Sequence, residues 1–183
     1  MKALEDMREI PEKALRIMFM DEARFGRISV MRRCWAPKGM RPVIASQYVR
    51  EYMYVFAGVC PFDGDLDALI LPDVSAEGMT VFLAEVSSRH QHEHVVMILD
   101  QAGWHTAANV SVPANITLFW LPAYSPELNP VEHLWDELRE KWFSNQLFRT
   151  LQSVEEQLIT GLQFLMRNPS VVKSQTLFSW MLA

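Results

Sequence analysis

Fifteen residues, LPAYSPELNPVEHLW from Leu121 to Trp135, constrain this chain more than any other stretch. They close an apolar run, Ile116 to Leu121, that reads as a strand, and they turn through three prolines. A helix then opens at Asn129-Pro130. Asn is a good N-cap, and Pro suits the first helical position because its missing N–H would go unpaired there. Glu132 follows three residues after the cap, so its carboxylate sits in the first turn. Two readings of Glu132 stand side by side. One is a capping box, with the carboxylate bonding back to the Asn129 N–H. The other is a metal-binding carboxylate, held by a turn that Pro126 and Pro130 stiffen.

Upstream lies HVVMILDQAGWH, His94 to His105. Val95 to Leu99 is a continuous apolar run, the pattern of a strand covered on both faces, as in a parallel sheet. Asp100 ends it. A carboxylate is costly to bury unpaired, and the carboxyl edge of an open α/β sheet is where ligands bind. Ile17 to Met20 is a second apolar run, and Asp21 is expected to terminate it, followed by Glu22. Three acids, two at strand ends and one at a helix start, can converge on one or two hard cations through oxygen ligands. Glu22 is expected on the opposite side of its strand from Asp21 and serves only as a reserve ligand.

The fragments MDEARFG, ILDQAGWH and LPAYSPELNPVEHLWDELR, in this order, resemble the catalytic domain of DDE transposases. The match is to the mariner-related, insertion-sequence-630 branch of bacterial elements, and it runs from Arg16 to Phe148. The resemblance implies Asp21, Asp100 and Glu132 as the catalytic and metal-binding acids, the last two 32 positions apart. They would hold two Mg²⁺ or Mn²⁺ ions roughly 3.5–4 Å apart, for in-line attack by water and then by a 3′-hydroxyl on a phosphodiester. Gln101, His105 and Asn129 are expected behind these acids; His105, at the mouth of the site, reads either as a contact to DNA or to a ligand or equally as a structural histidine. The family commonly has Asn where Gln101 stands.

Further implications concern fold and partners. The fold implied is ribonuclease-H-like: a mixed α/β sheet of three antiparallel strands plus parallel strands, with helices on both faces. Residues 1–13 are expected to form a linker or short helix, and residues 14–183 a single catalytic domain. No helix-turn-helix pattern precedes the first strand, although this family reads its transposon ends with such modules. The expectation is a truncated chain, the second half of a split reading frame or a decayed copy. The partners implied are DNA, both transposon ends and a TA target, and a second copy in a synaptic homodimer. Two other readings are a ribonuclease-H-like nuclease, and a non-catalytic fragment that binds only DNA or a full-length copy.

Charge supports a DNA partner in one segment only. The net charge of the 183 residues is −5. Between Ala23 and Arg50, however, stand Arg24, Arg27, Arg32, Arg33, Lys38, Arg41 and Arg50 with no acid. Such a run reads either as a solvated face or as a surface for the DNA backbone, and Arg24, Arg27, Arg32, Arg33, Lys38 and Arg41 are the candidates for phosphate contact. No apolar run approaches the ~20 residues of a membrane span, and no signal-peptide pattern opens the chain. Cys34 and Cys60 show no metal-ligand spacing, which fits a reduced cytosolic setting; the resemblance implies a bacterial cytoplasm, in association with the nucleoid.

In chain order, strands are expected at Leu15 to Met20, Arg27 to Trp35, Glu51 to Val59 and Leu66 to Leu71, the last two joined by a turn at Pro61–Gly64. Ser75 can cap a helix carrying Met79, Phe82, Leu83 and Val86 on one face. The helix from Pro130 shows an apolar stripe of Val131, Leu134, Trp135, Leu138 and Trp142, with Glu132 and Asp136 together off it. Ser153 and Glu156 read as a capping box for the next helix. The HQHEH segment, with His90, His92 and His94, reads as a solvated loop rather than a zinc site. Trp104 and Trp120 read as core. Tyr124 and Ser125 lack any paired base that would make a nucleophile.

Overall fold

The computed structural model describes residues 14–123 and 125–182. The linker expected at residues 1–13 and any part played by Tyr124 lie outside the described residues. The elements are β1 (Ala14–Ile28), β2 (Tyr48–Cys60), β3 (Asp65–Leu71), α1 (Ala76–Arg89), β4 (Glu93–Leu99) and β5 (Ile116–Trp120). After a short 3₁₀ turn at Pro126–Leu128 come α2 (Val131–Leu138), a π turn at Arg139–Phe143, α3 (Leu151–Arg167) and α4 (Pro169–Thr176). The strands form one sheet in the order β3-β2-β1-β4-β5. β1, β2 and β3 pair antiparallel, while β1, β4 and β5 run parallel.

Alternation along β1 explains why the sheet is covered on both faces. Met18 and Met20 point to one side, where they pack with Phe56, Met97 and the Met79, Phe82, Leu83 and Val86 stripe of α1. Phe19, Ala23 and Phe25 point to the other, against Leu134, Trp135 and Leu138 of α2 and Leu158 and Leu162 of α3. A period of two along the strand and of 3.6 along each helix therefore builds two cores from one sheet. This is the ribonuclease-H-like arrangement: a five-stranded mixed sheet with helices on both faces. Ser75 caps α1 as its sequence suggested, its Oγ accepting from Gly78 N at 3.1 Å.

Three local expectations are corrected. No separate strand forms from Arg27 to Trp35. β1 instead runs unbroken to Ile28, and residues 31–47 leave the sheet without joining its ladder. Strand propensity there finds no partner edge: β2 already holds one side of β1, and Val30 makes only an isolated bridge, to Ser144. The capping box of α3 is built by Thr150 and Ser153, not by Ser153 and Glu156. Ser153 already lies inside the helix, so its hydroxyl answers the Thr150 N–H while Thr150 Oγ1 accepts from Ser153 N. Trp104 and Trp120 are each 36% exposed and are not core residues, because Trp120 ends the edge strand β5 and Trp104 lies on the loop between β4 and β5.

Two glycines with positive φ separate strain from space. Gly64 (φ +79) closes the β2–β3 hairpin, and a Cβ there would stand 2.0 Å from the Pro169 carbonyl oxygen at the start of α4. Gly39 (φ +89) lies in the excursion with nothing within 4 Å of its Cβ position. Gly39→Ala should cost no more than the backbone strain of about 1–2 kcal/mol. Gly64→Ala should add about 1–3 kcal/mol for the clash with main chain. Urea unfolding of the two variants checks this, and equal losses would remove α4 from the account of Gly64.

Candidate functional site

Asp21 does not end its strand. It lies inside β1, paired across from Ala57 of β2. On its other side the parallel ladder stops: the last β1–β4 pair is Phe19 with Ile98, and the same register continued sets Asp21 beside Asp100. Asp100 is the first residue beyond β4, and Glu132 lies in the first turn of α2. The three carboxylates line one cavity of about 480 Å³ together with Gln101, Leu121, Pro122, Ser125, Pro126 and Asn129.

Two side-chain amides, one of them buried, hold these walls. Asn129 is 5% exposed; its Nδ2 donates to the Met20 carbonyl at 2.9 Å, and its Oδ1 accepts from Val131 N at 3.2 Å. Its own N–H goes to the Pro126 carbonyl, so the capping box with Glu132 does not form. The Glu132 side chain has no hydrogen-bond or ion-pair partner among the described residues and is left facing the cavity. Asp136, expected beside it, lines a different hollow with Arg32, His133 and Glu140. Gln101 Nε2 donates to the Leu121 carbonyl at 2.9 Å and ties the loop after β4 to the loop after β5.

The electrostatics of the three acids differ. Burial pushes the Asp21 carboxyl up from 3.8 to about 7; the Trp135 indole N–H, 2.7 Å from Oδ2, works against this, and the charges of Glu132 and Glu22 add to it. Trp135 had read only as core, yet a buried indole N–H needs an acceptor, and its place three residues after Glu132 on the same helix was the available signal. Asp100 is open to solvent, with its side chain 57% exposed. His105 is 2% exposed and lies with Nε2 2.6 Å from Glu22 Oε1 and Nδ1 2.8 Å from Asp100 Oδ1. Burial disfavours its charge, but the bond to Glu22 and the charges of Glu22 and Asp100 prevail and raise its pKa.

The donor set suits a hard divalent cation, since all three candidate ligands are carboxylates on one wall. A cation would also reverse the repulsion that drives Asp21 toward protonation. Among the described residues, no three His, Cys, Asp or Glu side chains already form a ligating group. Asp21 Oδ2 is turned onto Trp135, and Asp100 Oδ1 onto Ala102 N at 3.0 Å and His105. The remaining oxygens are the ones available to a metal.

The basic residues divide. Arg27 is engaged by Glu51 at 2.7 Å and by the Phe148 carbonyl, and Arg24 stacks on Tyr52. Arg32 lies 3.6 Å from Glu140. Arg33, Lys38 and Arg41 are exposed on the excursion and have no ion pair among the described residues. None of these cations lines the acidic cavity. HQHEH is not a solvated loop: His90 is buried between Asp67 (2.9 Å) and Glu93 (3.0 Å), and His94 is buried against Thr117. Only His92 of the three is exposed.

Residues 16–155 match the DDE superfamily endonuclease family. The chain belongs to that family. An uncharacterized protein of Sinorhizobium fredii is 40% identical over 130 residues, which cover 70% of this chain and 96% of that protein. Among solved structures, this DDE family chain is similar to the Mos1 mariner paired end complex with Mn (TM-score 0.62, 19% identity, 87% of this chain and 53% of the other). It is similar also to the Mos1 strand transfer complex (TM-score 0.60, 17% identity, 95% and 56%). The shared feature is the fold, and the chain spans about half the length of those solved chains. Among the described residues, no helix of this DDE family chain is long and apolar enough to cross a membrane.

A pH dependence follows from Asp21. Its carboxyl binds a proton near pH 7 when folded and near 3.8 when unfolded, so between these values the folded state holds more protons. Stability in the presence of a chelator should therefore fall as pH rises from about 4 to about 7. His105, whose folded pKa is also raised, contributes stability below its ordinary value of 6.5 that is lost as pH rises, a slope of the same sign. Asp21→Asn should flatten the acidic part of the profile in urea unfolding with EDTA. Parallel profiles for parent and variant would show that Asp21 is not the titrating group.

Proposed function

We propose that this chain is the catalytic domain of a DNA transposase of the insertion-sequence-630 type, cutting and joining phosphodiesters with divalent metal. The observation that carries the reading is the convergence of Asp21, Asp100 and Glu132, from three separate elements, on one cavity where the parallel strands end. Family membership supports it, and so does the fold shared with Mos1, whose complexes were solved with Mn and with Mg. Asp21, Asp100 and Glu132 would hold two Mg²⁺ or Mn²⁺ ions. When bound, these ions would supply Lewis-acid activation of the attacking hydroxyl and stabilisation of the leaving oxygen.

The chain's own side chains do the positioning. Asn129 pins the start of α2, which carries Glu132, and Gln101 pins the loop that follows Asp100, so the acids approach a substrate from a fixed wall. Asp100 faces solvent, which leaves it open to a duplex backbone. Arg33, Lys38 and Arg41, exposed and without acidic partners among the described residues, contact phosphates on either side of the cut. Such contacts position DNA without specifying its sequence. The full reaction joins transposon ends to a TA target in a synaptic homodimer, with residues 14–183 acting as one catalytic domain.

The experiment is strand cleavage of DNA ends with Mn²⁺, comparing parent and Glu132→Gln. Cleavage should fall below detection in the variant. Its melting temperature in EDTA should hold or rise, because the carboxylate makes no bond that the fold uses and one repelling charge is removed. Cleavage retained in Glu132→Gln would sink the assignment. Cleavage of an RNA–DNA hybrid in preference to duplex DNA would favour the ribonuclease-H-like nuclease. A parent that binds DNA and never cuts it would favour the non-catalytic fragment.

A further inference from the structure

Behind Asp100 lies a contact that the three-acid reading does not use. The Glu22 side chain is 6% exposed and lies outside the cavity lining, on the opposite side of β1 from Asp21. Its Oε1 accepts from His105 Nε2 at 2.6 Å and from Trp104 Nε1 at 3.3 Å. The His105 ring, itself buried, reaches Asp100 Oδ1 through Nδ1 at 2.8 Å. Nδ1 also lies 3.2 Å from the Asp100 carbonyl, so both ring nitrogens face oxygens that only accept, and both donate. A buried ion pair contributes little net stability, because the desolvation of both charges offsets their attraction. Its value here has to be sought in what it holds.

What it holds is one oxygen of Asp100. Oδ1 accepts from Ala102 N at 3.0 Å and lies 2.8 Å from His105 Nδ1, whose hydrogen bond goes to the Asp100 carbonyl at 3.2 Å; the Ala102 bond and the ion pair together restrain the carboxylate. Oδ2 has no described partner, and Asp100 lines the cavity. We propose that His105 is a positioning residue that presents Asp100 as a one-oxygen ligand through Oδ2, and that Glu22 is the anchor of His105 rather than a ligand. This rests on the metal-site reading of Asp100 given above. Without His105 the carboxylate would keep only the bond from Ala102 N, and ordering it further on binding would cost side-chain entropy that the fold now settles in advance.

Two amide variants separate positioning from packing. The Asn amide nitrogen takes the place of Nδ1 and can still donate to Asp100, while losing Glu22. The Gln amide nitrogen takes the place of Nε2, keeping Glu22 and losing Asp100. Each breaks one side of the same buried pair, and melting in EDTA reports that structural cost separately. The readout is Mn²⁺ affinity by electron paramagnetic resonance, with the metal alone. His105→Gln should weaken binding by about 10–100-fold, and His105→Asn clearly less. Glu22→Gln, whose amide oxygen still accepts from Nε2, should also lose less than His105→Gln.

Equal losses in His105→Asn and His105→Gln would overturn the positioning role. A loss in Glu22→Gln as large as that in Asp100→Asn would make Glu22 a ligand and overturn its role as anchor; this arm decides even if the His105 variants fail to fold. Binding unchanged in Asp100→Asn would instead remove the metal-site reading itself, a result that neither of the other outcomes resembles.

Discussion

One hydrogen bond sets the geometry of the candidate site: Asn129 Nδ2 to the Met20 carbonyl, 2.9 Å, buried. β1 outruns β4, whose last pair with it is at Phe19. A carbonyl next to Asp21, beyond the end of that ladder, must find a donor or carry a desolvation cost of about 1–3 kcal/mol. Asn129 supplies the donor, and the same side chain accepts from Val131 N at the start of α2. Strand and helix are thereby fixed to each other one residue from Asp21 and three from Glu132. Trp135 adds a second tie, its indole N–H on Asp21 and its rings in the core of that face.

Folding and function pull against each other at this point. Hydrophobic contact between α2 and the sheet places Asp21 in a buried setting that raises its pKa to about 7. Stability alone would favour a neutral residue there. The acids are kept close by contacts made elsewhere: Val131, Leu134, Trp135 and Leu138 under α2, and the β1–β4 register under Asp21 and Asp100. Groups with perturbed pKa values and unsatisfied charge cluster at functional sites for this reason. On the far side of β1, Glu22 and His105 extend the same logic behind Asp100.

Much of this was legible in the sequence, and the rest failed for identifiable reasons. Asp100 and Glu132 stood out because an apolar run and an Asn-Pro helix start bracket them. Asp21 was read as a strand end, since the apolar run stops there. The alternation of buried Ala23 and Phe25 with Arg24 and Gly26 was the signal that β1 continues. The strand expected from Arg27 to Trp35 had propensity without a free edge to pair with, which local sequence does not reveal. Local sequence around His90 does not reveal its burial, because its partner Asp67 lies 23 residues away, on β3. Thr150 and Ser153 both offer a cap oxygen, and only the position of the first helical turn chooses between them.

The central claim is that three elements bring Asp21, Asp100 and Glu132 together to hold divalent metal. Anomalous scattering from crystals grown with Mn²⁺ tests it most directly. The account predicts peaks in the cavity within about 2.0–2.6 Å of carboxylate oxygens from all three residues, with Asp100 contributing Oδ2. Peaks that touch none of the three, or ordered manganese only at another acidic surface, would contradict it.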